Sequence, residues 1–149
     1  MAKQSDIIGC VYRSANKTIK YIKEHVDEIN KTPICFYSGF TTINSQKVNA
    51  WQKIPDFNKQ HSVHILRDII ADAHLNSTGW EDEDWTAVSR TLAQNARDPI
   101  FVVLGQFISA ESVYLNTEYP TLLKSDSVKK PLSAYEINDN GGFDLIRIK

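Results

Sequence analysis

The stretch D-W-T-A-V-S-R-T-L-A-Q-N-A-R-D-P-I-F-V-V-L-G, residues 84–105, decides the fold class. In its first part Trp85, Val88, Leu92, Asn95 and Ala96 recur at helical spacing and share a face. The acidic run Glu81 to Asp84 lies on the first turn, where free backbone N–H groups favour negative charge. Asp98-Pro99 closes that helix, and I-F-V-V-L is a continuous apolar run bounded by Pro and Gly, the pattern of a buried strand. A helix delivering a buried strand predicts an α/β domain.

Upstream, residues 14–30 place Ile19, Ile22, Val26 and Ile29 on one helical stripe, with Ser14 or Asn16 to cap its start. Pro33 ends that region. I-C-F-Y, residues 34–37, is a short strand or extended segment that delivers Tyr37 and Ser38 to a surface before Gly39 stops it. A weaker helix is expected over residues 44–54, ending at Pro55, and another over 62–75 with Leu66, Ile69, Ile70 and Ala73 inward. Ser77 to Gly79 break the chain, and Trp51 and Trp80 read as packing residues.

Downstream, residues 131–137 and 143–148 flank N-D-N-G-G, whose Asn and Gly favour the left-handed conformations of a hairpin loop. The expected architecture is a single domain, helical over about residues 1–97 and packed on a small, mostly parallel sheet over about 98–149.

With 149 residues the chain is long enough for a self-sufficient core. A formal net charge of −1 offers no field for polyanions, which argues against nucleic acid as a partner. No run approaches the roughly 18 apolar residues of a membrane span, and the N-terminus has no basic-then-apolar export pattern. Cys10 and Cys35 are too few for a disulfide framework and read as buried free thiols, a single bridge being the alternative.

Trp85, Ser89, Ser112 and Glu118 are expected around the carboxyl end of the strand at 100–105, where open α/β sheets place ligands. One aromatic plate, two hydroxyls and one carboxylate suit a ligand that is part aromatic cation, part phosphate and part sugar, as NAD is. Taken singly, each residue has a plainer reading. Glu118 is a solvated loop carboxylate, Trp85 a core tryptophan, Ser89 a small residue at a helix contact, and Tyr37 and Ser38 a strand end and turn. His61, His64, Asp68 and His74 have helical spacing for a metal, but a hydrophobic stripe shares those turns and no Cys or H-E-x-x-H pattern joins them. No metal and no cofactor are expected, and His64 reads as a pocket-lining or surface residue.

Read in order, F-Y-S-G (36–39), W-x-x-V-S-R-x-x-A-x-x-A (85–96), an apolar strand and S-V-Y-x-x-T-E-x-P-x-L (112–122) resemble the ADP-ribosyl cyclase/NAD glycohydrolase family. The resemblance spans roughly residues 33–137 and is nearest to compact bacterial toxin domains of the contact-dependent growth inhibition type. It implies that Glu118 is the catalytic glutamate at the ribose beside the nicotinamide. It likewise implies that Trp85 stacks on the nicotinamide ring and that Ser89, one turn later, faces the reacting ribose. Tyr37 and Ser38 match an aromatic-serine pair at the pocket mouth, and Ser112 and Tyr114 match a loop holding the diphosphate. Two positions depart from the pattern. Gly39 stands where animal members carry an arginine that contacts phosphate, and Ser62-Val63-His64 is a poor match to the T-L-E segment that influences cyclisation.

The expectation is therefore an enzyme that takes NAD as substrate and releases nicotinamide and ADP-ribose, with cyclic ADP-ribose a lesser product. The resemblance implies a delivered or secreted toxin domain acting in the target-cell cytoplasm, opposed by a cognate immunity protein. The rival readings are a non-catalytic binding or immunity protein and a ribonuclease toxin, the latter disfavoured by the near-neutral charge.

Overall fold

The computed structural model describes residues 4–130 and 132–148, with side chains over 14–130 and 132–146. The chain opens with a long helix α1 (Gln4–Glu24) and a single turn α2 (Val26–Ile29), followed by strand β1 (Ile34–Ser38). A hairpin of β2 (Phe40–Ile43) and β3 (Gln46–Asn49) leads through a 3-10 turn at Ala50–Lys53 into α3 (Ile54–His61). Then come α4 (Leu66–Asp72), α5 (Asp82–Asn95) and β4 (Ile100–Leu104). A π-helical turn at Tyr114–Glu118 runs into α6 (Tyr119–Lys124), and β5 (Leu132–Ile137) and β6 (Phe143–Ile148) finish the chain.

The main sheet has the order β1-β4-β5-β6. Its first two pairings are parallel and the third, closed by residues 138–142, is antiparallel. The protein is thus a mixed α/β fold with a small, mostly parallel sheet. Side chains alternate along each strand, so the sheet has two buried faces. Ile34, Phe36, Val102, Leu104, Leu132 and Ala134 face a core shared with Ile22, Val88, Leu92 and Leu122 of α1, α5 and α6. Cys35, Val103 and Ile137 face a second core built on Phe57 of α3. No helix among the described residues is long and apolar enough to cross a membrane.

The division into a helical first half and a sheet-bearing second half needs correction, because β1 joins the main sheet and the β2–β3 hairpin lies within residues 40–49. The helix expected over 44–54 is instead a turn, a strand and the 3-10 turn that leads into α3 at Ile54. Asn44 and Ser45 take φ of 51° and 64°, and this left-handed pair sets Ile43 opposite Gln46. β-Branched Thr41, Thr42 and Ile43 favour the strand that precedes it. Pro55 starts α3 rather than ending a helix, since its missing N–H costs nothing in a first turn.

Helix α4 begins four residues later than expected, because Ser62 is left-handed at φ 51° and His64 runs beside Ile34 as an extra bridge. Ile69 and Ile70 are buried as expected, while Ala73 is the C-cap rather than an inward helical residue. Ser14 and Asn16 lie inside α1 and cap nothing, and the Ser14 hydroxyl donates to the Asn76 carbonyl. Of the α1–α2 stripe, Ile22 and Ile29 are buried. Trp80 is a core residue, but Trp51 is exposed. Cys35 is a buried free thiol, and the Cys10 side chain lies outside the described residues.

Candidate active site

A cavity of about 170 Å³ lies beside β1. Tyr37 and Ser38 of β1, Arg67 of α4, Trp85 and Ser89 of α5, and Tyr114 and Glu118 of the π-helical turn line it. The strand carrying the site is therefore β1, not the one at 100–105, from which no residue reaches the cavity wall. β1 is the edge strand of the sheet, bridged on its outer side by His64 at Ile34. That leaves its carboxyl-terminal half to be covered by side chains from helices.

Each side chain arrives for a local reason. Trp85 and Ser89 are four apart on α5 and so occupy one face. Trp80 crosses Trp85 edge to face at 4.8 Å and fixes the inner ring. At the far wall the Tyr119 N–H bonds the Tyr114 carbonyl, a five-residue closure that widens the turn. Such turns are often found at functional sites. Here the widened turn buries Thr117 together with Glu118 and sends Tyr114 and Glu118 to the same cavity.

The electrostatics are unusual for a carboxylate. Glu118 is buried, and burial alone pushes its pKa up to about 8. Among the described residues no hydrogen bond or ion pair reaches it. The Tyr114 hydroxyl, also deeply buried, has no hydrogen-bond partner, and burial raises its pKa. Tyr37 is raised as well, by burial first, against the lowering effect of Arg67. Burial and then Glu118 raise the Cys35 thiol, so it stays protonated and is a poor nucleophile.

Six of the eight expected residues thus meet in one cavity: Glu118, Trp85, Ser89, Tyr37, Ser38 and Tyr114. Two do not. Ser112 is spent as a cap, its hydroxyl accepting the Leu115 N–H at 3.1 Å, and it is absent from the cavity wall. The supposed diphosphate loop is in fact the start of a helical turn, and Tyr114 lines the cavity from within it. His64 is structural: its Nε2 lies 2.9 Å from the Ile29 carbonyl, and its backbone bonds Cys35 and Pro33. His61 stacks on Phe57 at 4.4 Å. Among the described residues no group of three or more His, Cys, Asp or Glu is placed to hold a metal ion.

Arg67 and Cys35 also line the cavity. Both reach the cavity through tertiary placement, Arg67 from the flank of α4 and Cys35 from the strand, and neither stands in a telling pattern. The glycine at position 39 also has its explanation. With φ of +84°, and with an added Cβ only 2.3 Å from the Phe107 carbonyl oxygen, this position admits no side chain.

Comparison with protein-family models, with curated proteins and with solved structures finds no match to this chain. The site therefore speaks through its own chemistry. It combines a desolvated acid, two aromatic walls, unspent hydroxyls and one cation at the rim.

Proposed function

We propose that this chain is an NAD glycohydrolase with an ADP-ribosyl cyclase-like fold. The observation that carries the reading is Glu118, a buried and unpaired carboxyl that shares a small cavity with Trp85, Tyr37, Ser38, Ser89 and Tyr114. A buried acid without a partner costs stability, and such groups cluster where chemistry needs them. The ordered resemblance of residues 33–137 supports the same assignment.

The reaction suits these residues. The nicotinamide of NAD is a cationic ring attached through nitrogen to the ribose. When the C–N bond breaks, its electron pair stays on the ring nitrogen and neutral nicotinamide leaves, so no general acid is required, unlike O-glycoside cleavage. The ribosyl centre becomes positive, and an ionised Glu118 stabilises it electrostatically in a water-poor cavity. Water then forms the new C–O bond and loses a proton to solvent, giving ADP-ribose. The Trp85 face attracts the cationic ring more than the neutral product. Ser89, Ser38 and Tyr114 offer hydroxyls that orient the ribose.

The raised pKa fits this scheme in a specific way. In the free protein Glu118 is largely protonated at pH 7, and arrival of the cationic ring favours its ionised form. Substrate binding then releases a proton, and kcat/KM rises with pH up to about 8. In the wider reading the domain is a delivered toxin that depletes NAD in the target-cell cytoplasm, and an immunity protein blocks the cavity.

The test is chromatography of NAD incubated with the protein and with Glu118→Gln. Nicotinamide and ADP-ribose are expected from the first, with a loss of about 1,000-fold or more in the variant. NAD that survives the unaltered protein overturns the enzyme and leaves a binding module.

A further inference from the structure

We infer that Arg67 is the anion anchor of this site and that the ligand lies across Trp85, with a diphosphate at Arg67 and its second nucleoside in an adjoining cavity. This deepens the NAD reading and rests on it for the identity of the reacting end only.

Four observations lead there. The Glu118 cavity, at about 170 Å³, is smaller than the roughly 300 Å³ at which pockets begin to bury drug-sized ligands. A second cavity of about 370 Å³, walled by Ile70, Ala71, Leu75 and Asn76, shares two residues with the first, Arg67 and Trp85. The two are therefore neighbouring chambers with one aromatic ring and one guanidinium between them. Arg67 itself is exposed and, among the described residues, has no ion pair or hydrogen bond. The nearest carboxylate in sequence, Asp68, is turned away to accept the Ile65 N–H at 3.0 Å.

A free guanidinium between two partly apolar chambers is the arrangement that binds a phosphate group through paired N–H donors. The first chamber then takes the ring and ribose next to Glu118. The second, with apolar Ile70 and Leu75 and the amide of Asn76, takes a nucleoside. The preferred substrate class is accordingly a dinucleotide joined by a diphosphate rather than a mononucleotide.

The experiment has a binding arm and a turnover arm. In the first, ADP is titrated into the protein and into Arg67→Ala by calorimetry, with adenosine as the uncharged control. ADP affinity is expected to fall at least about tenfold in the variant while adenosine is unaffected. Equal ADP binding by both proteins, or none by the unaltered one, overturns the anchor. Because this arm needs no catalysis, loss of ADP binding in Arg67→Ala upholds the anchor even if NAD is never cleaved.

In the turnover arm, Arg67→Ala is expected to lower kcat/KM for NAD and nicotinamide mononucleotide by about tenfold or more and to spare nicotinamide riboside, which has no phosphate. An equal fall for all three would make Arg67 a packing residue and sink the inference, although the glycohydrolase would stand. Ala71→Trp, at an exposed position that fills the second chamber, is expected to lower NAD turnover relative to the mononucleotide. An unchanged ratio refutes the second chamber.

Discussion

The two faces of the sheet carry two aromatic clusters of opposite character. On one face Phe57, fully buried, meets Phe101, Tyr135 and Phe143 edge-on at 5.1 to 5.7 Å and stacks on His61. Its neighbours are Cys35, Val103 and Ile137, and the cluster needs no polar partner. On the other side Trp85 and Tyr114 line the Glu118 cavity, and Trp80 packs against Trp85. Two of the ring polar atoms there, Trp80 Nε1 and Tyr114 Oη, are buried without a partner. The first cluster leaves no buried side-chain polar atom unpaired among the described residues, whereas the second leaves two, which costs stability. Among the described residues these are the buried side-chain polar atoms without a partner, and of the two residues Tyr114 lines the cavity, where under the proposed function a ligand would supply the missing partner.

The contrast breaks most readily at Phe57. Truncation to alanine opens a cavity among four aromatic rings, and Phe57→Ala is expected to cost about 3–5 kcal/mol, roughly 10 °C in Tm. Trp85→Ala, at a half-buried cavity wall, is expected to cost less than half as much. Thermal unfolding of the two variants side by side decides it. If Trp85→Ala is the more damaging, the cavity is core and the division between the two clusters fails.

Glu118 sharpens the comparison through pH. Its folded pKa, about 8, is raised above the ordinary value of about 4.3 in an unfolded chain. The folded state therefore holds the proton more tightly, and the stability that this supplies is complete below pH 4 and lost as pH rises through 8. Glu118→Gln removes this titration. The variant is expected to match the unaltered protein near pH 4.5 and to exceed it increasingly up to pH 8, by about 4 °C in Tm or more. Melting curves over that range check the sign. A variant that loses stability at pH 8 would mean that the carboxylate is held by a partner after all.

How far the sequence carried these conclusions depends on the range of the forces involved. The helix at 82–95 and the strand at 100–104 were legible because periodicity, acidic first turn and proline all lie within one stretch. The final hairpin was legible from its Asn-Gly-Gly loop. The first hairpin was not, because Asn44-Ser45 lacks the glycine that usually signals a left-handed pair, and Val48 with Trp51 imitates helical spacing. Among site residues, local spacing put Trp85 and Ser89 on one helix face, whereas the catalytic role expected of Glu118 came from the resemblance. His64 and Ser112 misled for one reason: a polar side chain near a site in sequence had already been used by backbone, at the Ile29 carbonyl and the Leu115 N–H. Arg67 could be placed only by knowing which strand is the edge.

The smallest effect isolates the partnerless hydroxyl. A buried hydroxyl that donates to a protein acceptor contributes about 1 kcal/mol, whereas one without a partner costs its own desolvation. The Tyr114 ring is 2 % exposed and its hydroxyl is unbonded. Tyr114→Phe is therefore expected to leave stability unchanged or raise it by up to about 1 kcal/mol, the reverse of the usual loss. Under the proposed function, filling of the same cavity should reverse the balance, because a ribose or carboxamide oxygen of the ligand would be the acceptor that the hydroxyl lacks. Tyr114→Phe should then weaken ligand binding by about tenfold while melting no earlier, a separation that no purely structural tyrosine would produce. Equal losses in stability and affinity would show that the hydroxyl is already satisfied, and would move Tyr114 from the site to the core.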